Sequence, residues 1–149
     1  MRIFVTGATG VVGRRVVPIL IGTGHRVTAV GRSPEKRAAL QQMGASSVDV
    51  DLFAPDAVRR AVAGHDAVIN LATHMPSSST RMLLPMAWRE NDRIRRVGSR
   101  ILADAAAGAG AGWFIQESFA PVYLDGGDQW IDEEWPQRPA AYNRTVLDA

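Results

Sequence analysis

Apolar runs and amphipathic segments alternate along this chain from its first residues. Ile3-Phe4-Val5 is a short apolar run that meets a turn at Thr6-Gly7, and Val11 to Ile21 carries apolar residues at helical spacing, so the opening reads strand, turn, helix. Pro18 removes one amide donor inside that helix and predicts a kink or local adjustment, before Gly22-Thr23-Gly24 ends it. Val27 to Val30 is a second strand. Pro34 to Met43 is a second helix, with Ser33 as N-cap, a proline in the first turn and Gly44 as its stop. Val48 to Leu52 then reads as a strand, Asp56 to Ala63 as a helix and Asp66 to Leu71 as a fourth strand with an unbroken apolar centre.

The polar stretch His74 to Thr80 reads as a loop, followed by a long helix ending in the small-residue tract Ala105 to Gly112 and by a fifth strand, Trp113-Phe114-Ile115. Beyond Tyr123 the pattern weakens. Asp125 to Pro139 reads as a loop anchored by Trp130 and Trp135, and Tyr142 to Ala149 as the opening of another helix. Strands apolar on both faces and separated by helices predict a doubly wound α/β fold, because helical crossovers cover both faces of a parallel sheet.

Composition narrows the class. The 149 residues, 46% hydrophobic and 21% charged, are enough for one domain with a real core, so residues 1–149 are expected to form a single unit. A net charge of +2 requires no nucleic-acid partner, and no apolar stretch approaches the ~18 residues of a membrane span. Cysteine is absent, which leaves no disulfide framework and no thiolate site; with no secretory pattern at the start, a cytoplasmic protein is expected. Lys36 is the only lysine, so any chemistry needing an ammonium group has one candidate.

The segment Thr6-Gly7-Ala8-Thr9-Gly10-Val11-Val12-Gly13 places three glycines three residues apart between the first strand and the first helix. A diphosphate can approach bare backbone there, collect amide hydrogen bonds at the helix N-terminus and benefit from the helix dipole, while the third glycine permits close helix–strand packing. The structural alternative is a tight turn. Its place at the head of a βαβ series points to a dinucleotide.

With these glycines, Asp51-Leu52 after the third strand, Asn70-Leu71-Ala72-Thr73 at the fourth and Asn91 in the following helix, the chain resembles the extended short-chain dehydrogenase/reductase superfamily, in particular its NAD-dependent epimerase/dehydratase group. The resemblance implies a Rossmann-like sheet of about five strands in the order 3-2-1-4-5, with helices on both faces. It implies that Gly7, Thr9, Gly10, Val11, Val12 and Gly13 line the pyrophosphate, Asp51 and Leu52 the adenine, and Leu71, Ala72 and Thr73 the nicotinamide side. Read alone, Asp51 is equally a strand-end cap and Ala72 a close-packing residue.

Where the second strand ends, an acidic residue would accept the ribose hydroxyls and repel a 2′-phosphate. This chain has Gly31-Arg32-Ser33 instead. Arg32 offers a planar fork and Ser33 a hydroxyl, so NADP is expected over NAD, with Arg14 a second phosphate candidate; the alternative for Arg32 is a solvated charge at a helix start.

The family's catalytic pattern is incomplete. It pairs a tyrosine with a lysine four residues on, because a phenol of pKa ~10 must fall by roughly 3 units to act near neutrality. Tyr142 aligns with that tyrosine, but Val146 stands four residues on, and Lys36 belongs to the adenosine side. Ser118 is the hydroxyl candidate after the fifth strand, against a simple strand-end hydrogen bond, and Tyr142 is a candidate acid/base against a packed or exposed aromatic. The three histidines lack metal-ligand spacing. Arg89, Arg93, Arg96 and Arg100 form a basic stripe that reads as solvated, which makes a poor seam for the homodimer some relatives form.

Members of the group run to about twice this length, so the substrate-binding part is expected to be missing. Two readings remain open. One is the NADP-binding domain of an epimerase/dehydratase-like oxidoreductase, moving hydride to or from a small carbonyl or sugar-type substrate. The other is a non-catalytic NADP-binding regulatory or redox-sensing module, which the missing lysine favours.

Overall fold

The computed structural model describes residues 1–76, 78–82 and 84–149. Ser77 in the expected loop and Leu83 in the expected long helix lie outside the described residues. Strands β1 (Arg2–Thr6), β2 (Arg26–Val30), β3 (Ser46–Val48), β4 (Ala67–Asn70) and β5 (Trp113–Gln116) pair in parallel in the order β3-β2-β1-β4-β5. Helices α1 (Gly13–Gly22), α2 (Pro34–Gln42) and α3 (Pro55–Val62) are the first three crossovers. This is the Rossmann-like doubly wound sheet that the alternation and the resemblance implied.

The period of two along β1 divides the core. Ile3 and Val5 pack with Val17, Val27, Ala29, Leu40 and Ile69 under α1 and α2. Phe4 points the other way, into Val58, Val62, Val68 and Leu102. Ser33 caps α2 as expected, its Oγ accepting the Lys36 amide at 3.3 Å. Helix α1 runs through Pro18, which stands at its exposed side.

Three elements differ from expectation. β3 occupies Ser46–Val48, not residues 48 to 52. Arg37 Nη1 donates to Gly31 O at 3.1 Å and to Asp49 Oδ2 at 2.8 Å, and Asp51 Oδ1 accepts the Phe53 amide at 3.0 Å, so side-chain bonds turn the chain out of the ladder there. The connection from β4 to β5 is segmented: α4 (Ser79–Met82), a 3₁₀ turn at Pro85–Trp88, α5 (Arg89–Arg93), a π turn at Ile94–Gly98, and α6 (Ser99–Gly108). Near the end of the chain the expected helix is a 3₁₀ turn, Arg144–Asp148. Thr145 Oγ1 donates to Asp92 Oδ1 and Arg96 Nε to Asp148 Oδ2, both at 2.7 Å, so it is held by side chains of the preceding helical run, because so short a segment is unstable alone.

Of the two loop tryptophans only Trp135 acts as an anchor, its Nε1 donating to Leu124 O at 3.0 Å; Trp130 is 97% exposed. Among the described residues no helix is long and apolar enough to cross a membrane.

Candidate nucleotide-binding cleft

Beyond the C-terminal ends of β1 and β4, where the strand order reverses, lies a cleft of about 340 Å³. Such switch points in open α/β sheets are where ligands bind. The glycine turn forms its floor. Gly7 has φ +66°, and a Cβ on it would stand 2.1 Å from Leu71 O, so this position tolerates no side chain. A Cβ on Gly13 would lie 2.5 Å from Ala8 Cα and from Gly7 O, which fixes the close approach of α1 to the turn. Gly10 differs: a Cβ there would meet only Gly7 O, at 3.1 Å. The space over Gly10 belongs to the cleft. Bare backbone thus faces the cleft at the head of α1, the kind of place where helix N-termini receive anions.

Of the residues expected from the sequence, Gly7, Thr9, Gly10, Arg32, Asp51, Leu52, Leu71, Ala72 and Thr73 line the cleft. Val11, Val12, Gly13 and Ser33 do not: the first two are exposed on the turn, Gly13 is buried beneath it and Ser33 serves as the α2 cap. Arg14 joins the lining, and its Nε donates to Thr9 O at 2.9 Å, which ties the guanidinium across the turn. Lys36 is there too, in the first turn of α2, so Arg32 and Lys36 put two cations on the wall that follows β2. Glu35, the neighbouring carboxylate, does not line the cleft; a hydrogen bond from the Ser33 hydroxyl holds its carboxyl below the usual value.

Phe53, Glu90 and Ile94 also line the cleft and were not foreseen. Phe53 follows the Asp51 turn and carries the Arg93 guanidinium 3.6 Å above its ring centre. Glu90 and Ile94 reach the cleft only because the β4–β5 connection folds back over it, a placement no local pattern encodes.

Under the cleft lies a buried polar network that joins the strand ends. Thr6 Oγ1 donates to Asn70 Oδ1 at 2.5 Å, and the same oxygen accepts the Ala72 amide at 3.2 Å. Asn70 Nδ2 donates to Gln116 Oε1 at 2.8 Å and to Ser99 Oγ at 3.2 Å. One asparagine thus sets the course of the chain leaving β4 and links β1, β5 and α6. Asn91, also buried, accepts the His74 amide at 3.0 Å and fixes the next residues of that loop.

The two catalytic candidates stand apart from this cleft. Ser118 is exposed just beyond β5. Tyr142 is 43% exposed, its ring against Trp88 at 5.1 Å between centroids. Neither is among the lining residues. The pair near the β5 end that sequence reading missed is Arg95 and Glu117. Arg95 is 2% exposed and donates from Nη2 to Glu117 Oε2 at 3.1 Å, while burial pushes the Glu117 carboxyl up and the guanidinium only partly offsets it. Arg95 lies outside the four-arginine stripe read from the sequence; within the π turn it is buried while Arg96 and Arg100 stay exposed.

Residues 7–146 match the family model described as NAD(P)H-binding. A 3-diazoavenalumate denitrifying reductase from Streptomyces is 31% identical over 141 residues, 91% of this chain and 43% of the relative. Among solved structures, a short-chain dehydrogenase/reductase superfamily protein from Agrobacterium tumefaciens with bound NAD superposes with a TM-score of 0.76 at 28% identity, covering 99% of this chain and 42% of that one. MoeE5 in complex with UDP-glucose and NAD does so with a TM-score of 0.78 at 26% identity, covering 99% and 46%. The chain spans less than half the length of each of these relatives.

Proposed function

Because this chain belongs to the NAD(P)H-binding family of the short-chain dehydrogenase/reductase superfamily, we propose that its cleft holds NADP and serves hydride transfer to or from a small carbonyl or sugar-type substrate. The observation that carries the NADP reading is the wall after β2, where Arg32 and Lys36 face the cleft and no carboxylate does. Two cations beside a ribose favour a 2′-phosphate by charge-assisted hydrogen bonds, whereas a bare 2′-hydroxyl gains little from them.

Gly7, Thr9 and Gly10 would receive the pyrophosphate, with Asp51, Leu52 and Phe53 beside the adenine and Leu71 to Thr73 along the nicotinamide. Bound there, the nicotinamide supplies a hydride donor or acceptor. Ser118, exposed beyond β5 and outside the cleft lining, would reach the reacting oxygen only of a substrate that extends past the cleft. Tyr142 would assist as a proton donor but has no cation four residues on to favour its phenolate, so the 149-residue chain is expected to bind coenzyme with negligible turnover. The names of the relatives, a reductase and NAD-bound proteins of this superfamily, support redox use of the cleft over a purely regulatory one. A cytoplasmic setting, expected from the sequence, is part of the same proposal.

Calorimetric titration with NADPH and NADH tests the reading. NADPH should bind about tenfold or more tightly, and R32A/K36A should bring the two together. Tighter NADH binding would overturn the assignment.

A further inference from the structure

Beside the nucleotide cleft, and sharing Glu90 with it, is a second hollow of about 550 Å³ between the loop leaving β4 and the start of α5. We infer that this hollow takes the apolar body of a carbonyl substrate that also carries a carboxylate, in preference to a sugar nucleotide. The inference rests on the proposed function for one thing, that the hollow adjoins the reacting end of the coenzyme. Its chemistry is read from the lining alone.

Met75, Pro76, Met86 and Ala87 are four of the seven lining residues, and none of their side chains carries a hydrogen-bond donor. A sugar brings several hydroxyls, which lose water on entering and find no side-chain donor on these four residues, only on the charged and imidazole side chains at the edge of the hollow. Thioethers suit the opposite kind of guest, because an unbranched, polarizable side chain moulds itself to flat or flexible apolar groups. Met86 is 71% exposed and Met75 also stands open to solvent. Exposed apolar side chains grouped around a concavity are a mark of a binding surface.

Arg89 supplies the polar end. It lines the hollow, and among the described residues its guanidinium has no hydrogen-bond or ion-pair partner. A planar fork that is free beside an apolar wall fits a carboxylate in bidentate fashion. Glu90, on the boundary with the nucleotide cleft, repels an anion from that side and so orients the guest with its carboxylate toward Arg89 and its carbonyl toward the coenzyme. His74 is held at the rim by the bond from its amide to Asn91 Oδ1.

The test uses benzoylpropionate, its methyl ester and UDP-glucose, titrated into the full chain with and without saturating oxidised coenzyme, so that binding is read without turnover. Benzoylpropionate should bind about tenfold more tightly than its ester. R89Q should remove that difference while leaving coenzyme affinity unchanged, and M86Q should weaken acid and ester alike. Equal binding of acid and ester, or UDP-glucose binding more tightly than the acid, would overturn the inference. Failure of coenzyme to bind while Arg89-dependent acid binding persists would remove the proposed function and leave the hollow's specificity standing; coenzyme binding with an Arg89-independent acid would do the reverse.

Discussion

At the scale of single residues, the glycine turn separates two requirements that the sequence presents as one motif. Gly7 is demanded by the fold, since its positive φ and the 2.1 Å approach of Leu71 O to any Cβ leave no room for alanine. Gly10 is demanded by the fold far less, because its φ is not left-handed and its Cβ would meet one backbone oxygen, at 3.1 Å, which need give by only a few tenths of an ångström. G7A is therefore expected to lose roughly 2 kcal/mol or more of stability through strain at a left-handed position and a backbone clash. G10A should unfold within about 0.5 kcal/mol of the parent yet bind coenzyme at least tenfold more weakly, by filling the diphosphate cradle. Urea denaturation and calorimetry on the two variants separate the effects. Glu117 gives a second residue-scale prediction. Its folded pKa is raised by burial, so the native state holds its proton more tightly than the unfolded chain does. The stability this contributes is present below the unfolded value and is lost as pH rises through the folded one. Denaturation measured from about pH 4 to 7 should show a decline in this window that E117Q lacks.

Elements show where local pattern carried enough information and where it did not. The strands of the sheet centre, β1, β2 and β4, were legible because their centres are apolar, interrupted only by Thr28 in β2, and α2 because Ser33, Pro34 and Gly44 mark both its ends. β3 was placed two residues late at its start and four at its end: Val48, Val50 and Leu52 alternate like a strand, but Arg37 and the Asp51 turn take the backbone out of the ladder after Val48. The nucleotide side of the candidate site was readable because backbone chemistry dictates its residue types. Glu90, Ile94 and Arg95 were not, since their directions depend on a loop folding back and on a π turn, neither of which leaves a periodic trace. The 3₁₀ turn at Arg144–Asp148 is likewise held from outside, by Asp92 and Arg96. T145V should cost about 1 kcal/mol and speed amide exchange across residues 144–148, while coenzyme affinity stays the same because no residue of that turn lines the cleft. Exchange confined to that segment is the expected pattern; exchange spreading to β1 or β4 would show that the turn supports the sheet.

For the whole molecule, the cleft sits where three strand ends, two helix starts and the β4–β5 connection converge, so occupancy of the cleft couples to global stability. Thr6, Asn70, Ser99 and Gln116 lock β1, β4, β5 and α6 together directly beneath it, and Asn70 also holds the Ala72 amide at its rim. A ligand that binds only this assembled arrangement stabilises the fold by ~2.7 kcal/mol at a hundredfold excess over its Kd. In a chain of this size that corresponds to a rise in Tm of roughly 5–10 °C. NADP should produce such a rise in the parent chain, and G10A should abolish most of it while keeping the ligand-free Tm. N70A is the contrasting variant: it strands the Thr6 hydroxyl and the Ala72 amide, so it should lower the ligand-free Tm and weaken binding together. A variant at Asn70 that melts earlier yet keeps the full NADP shift would separate the network from the cleft, since the rim that receives the nicotinamide would then be set by something other than the asparagine beneath it.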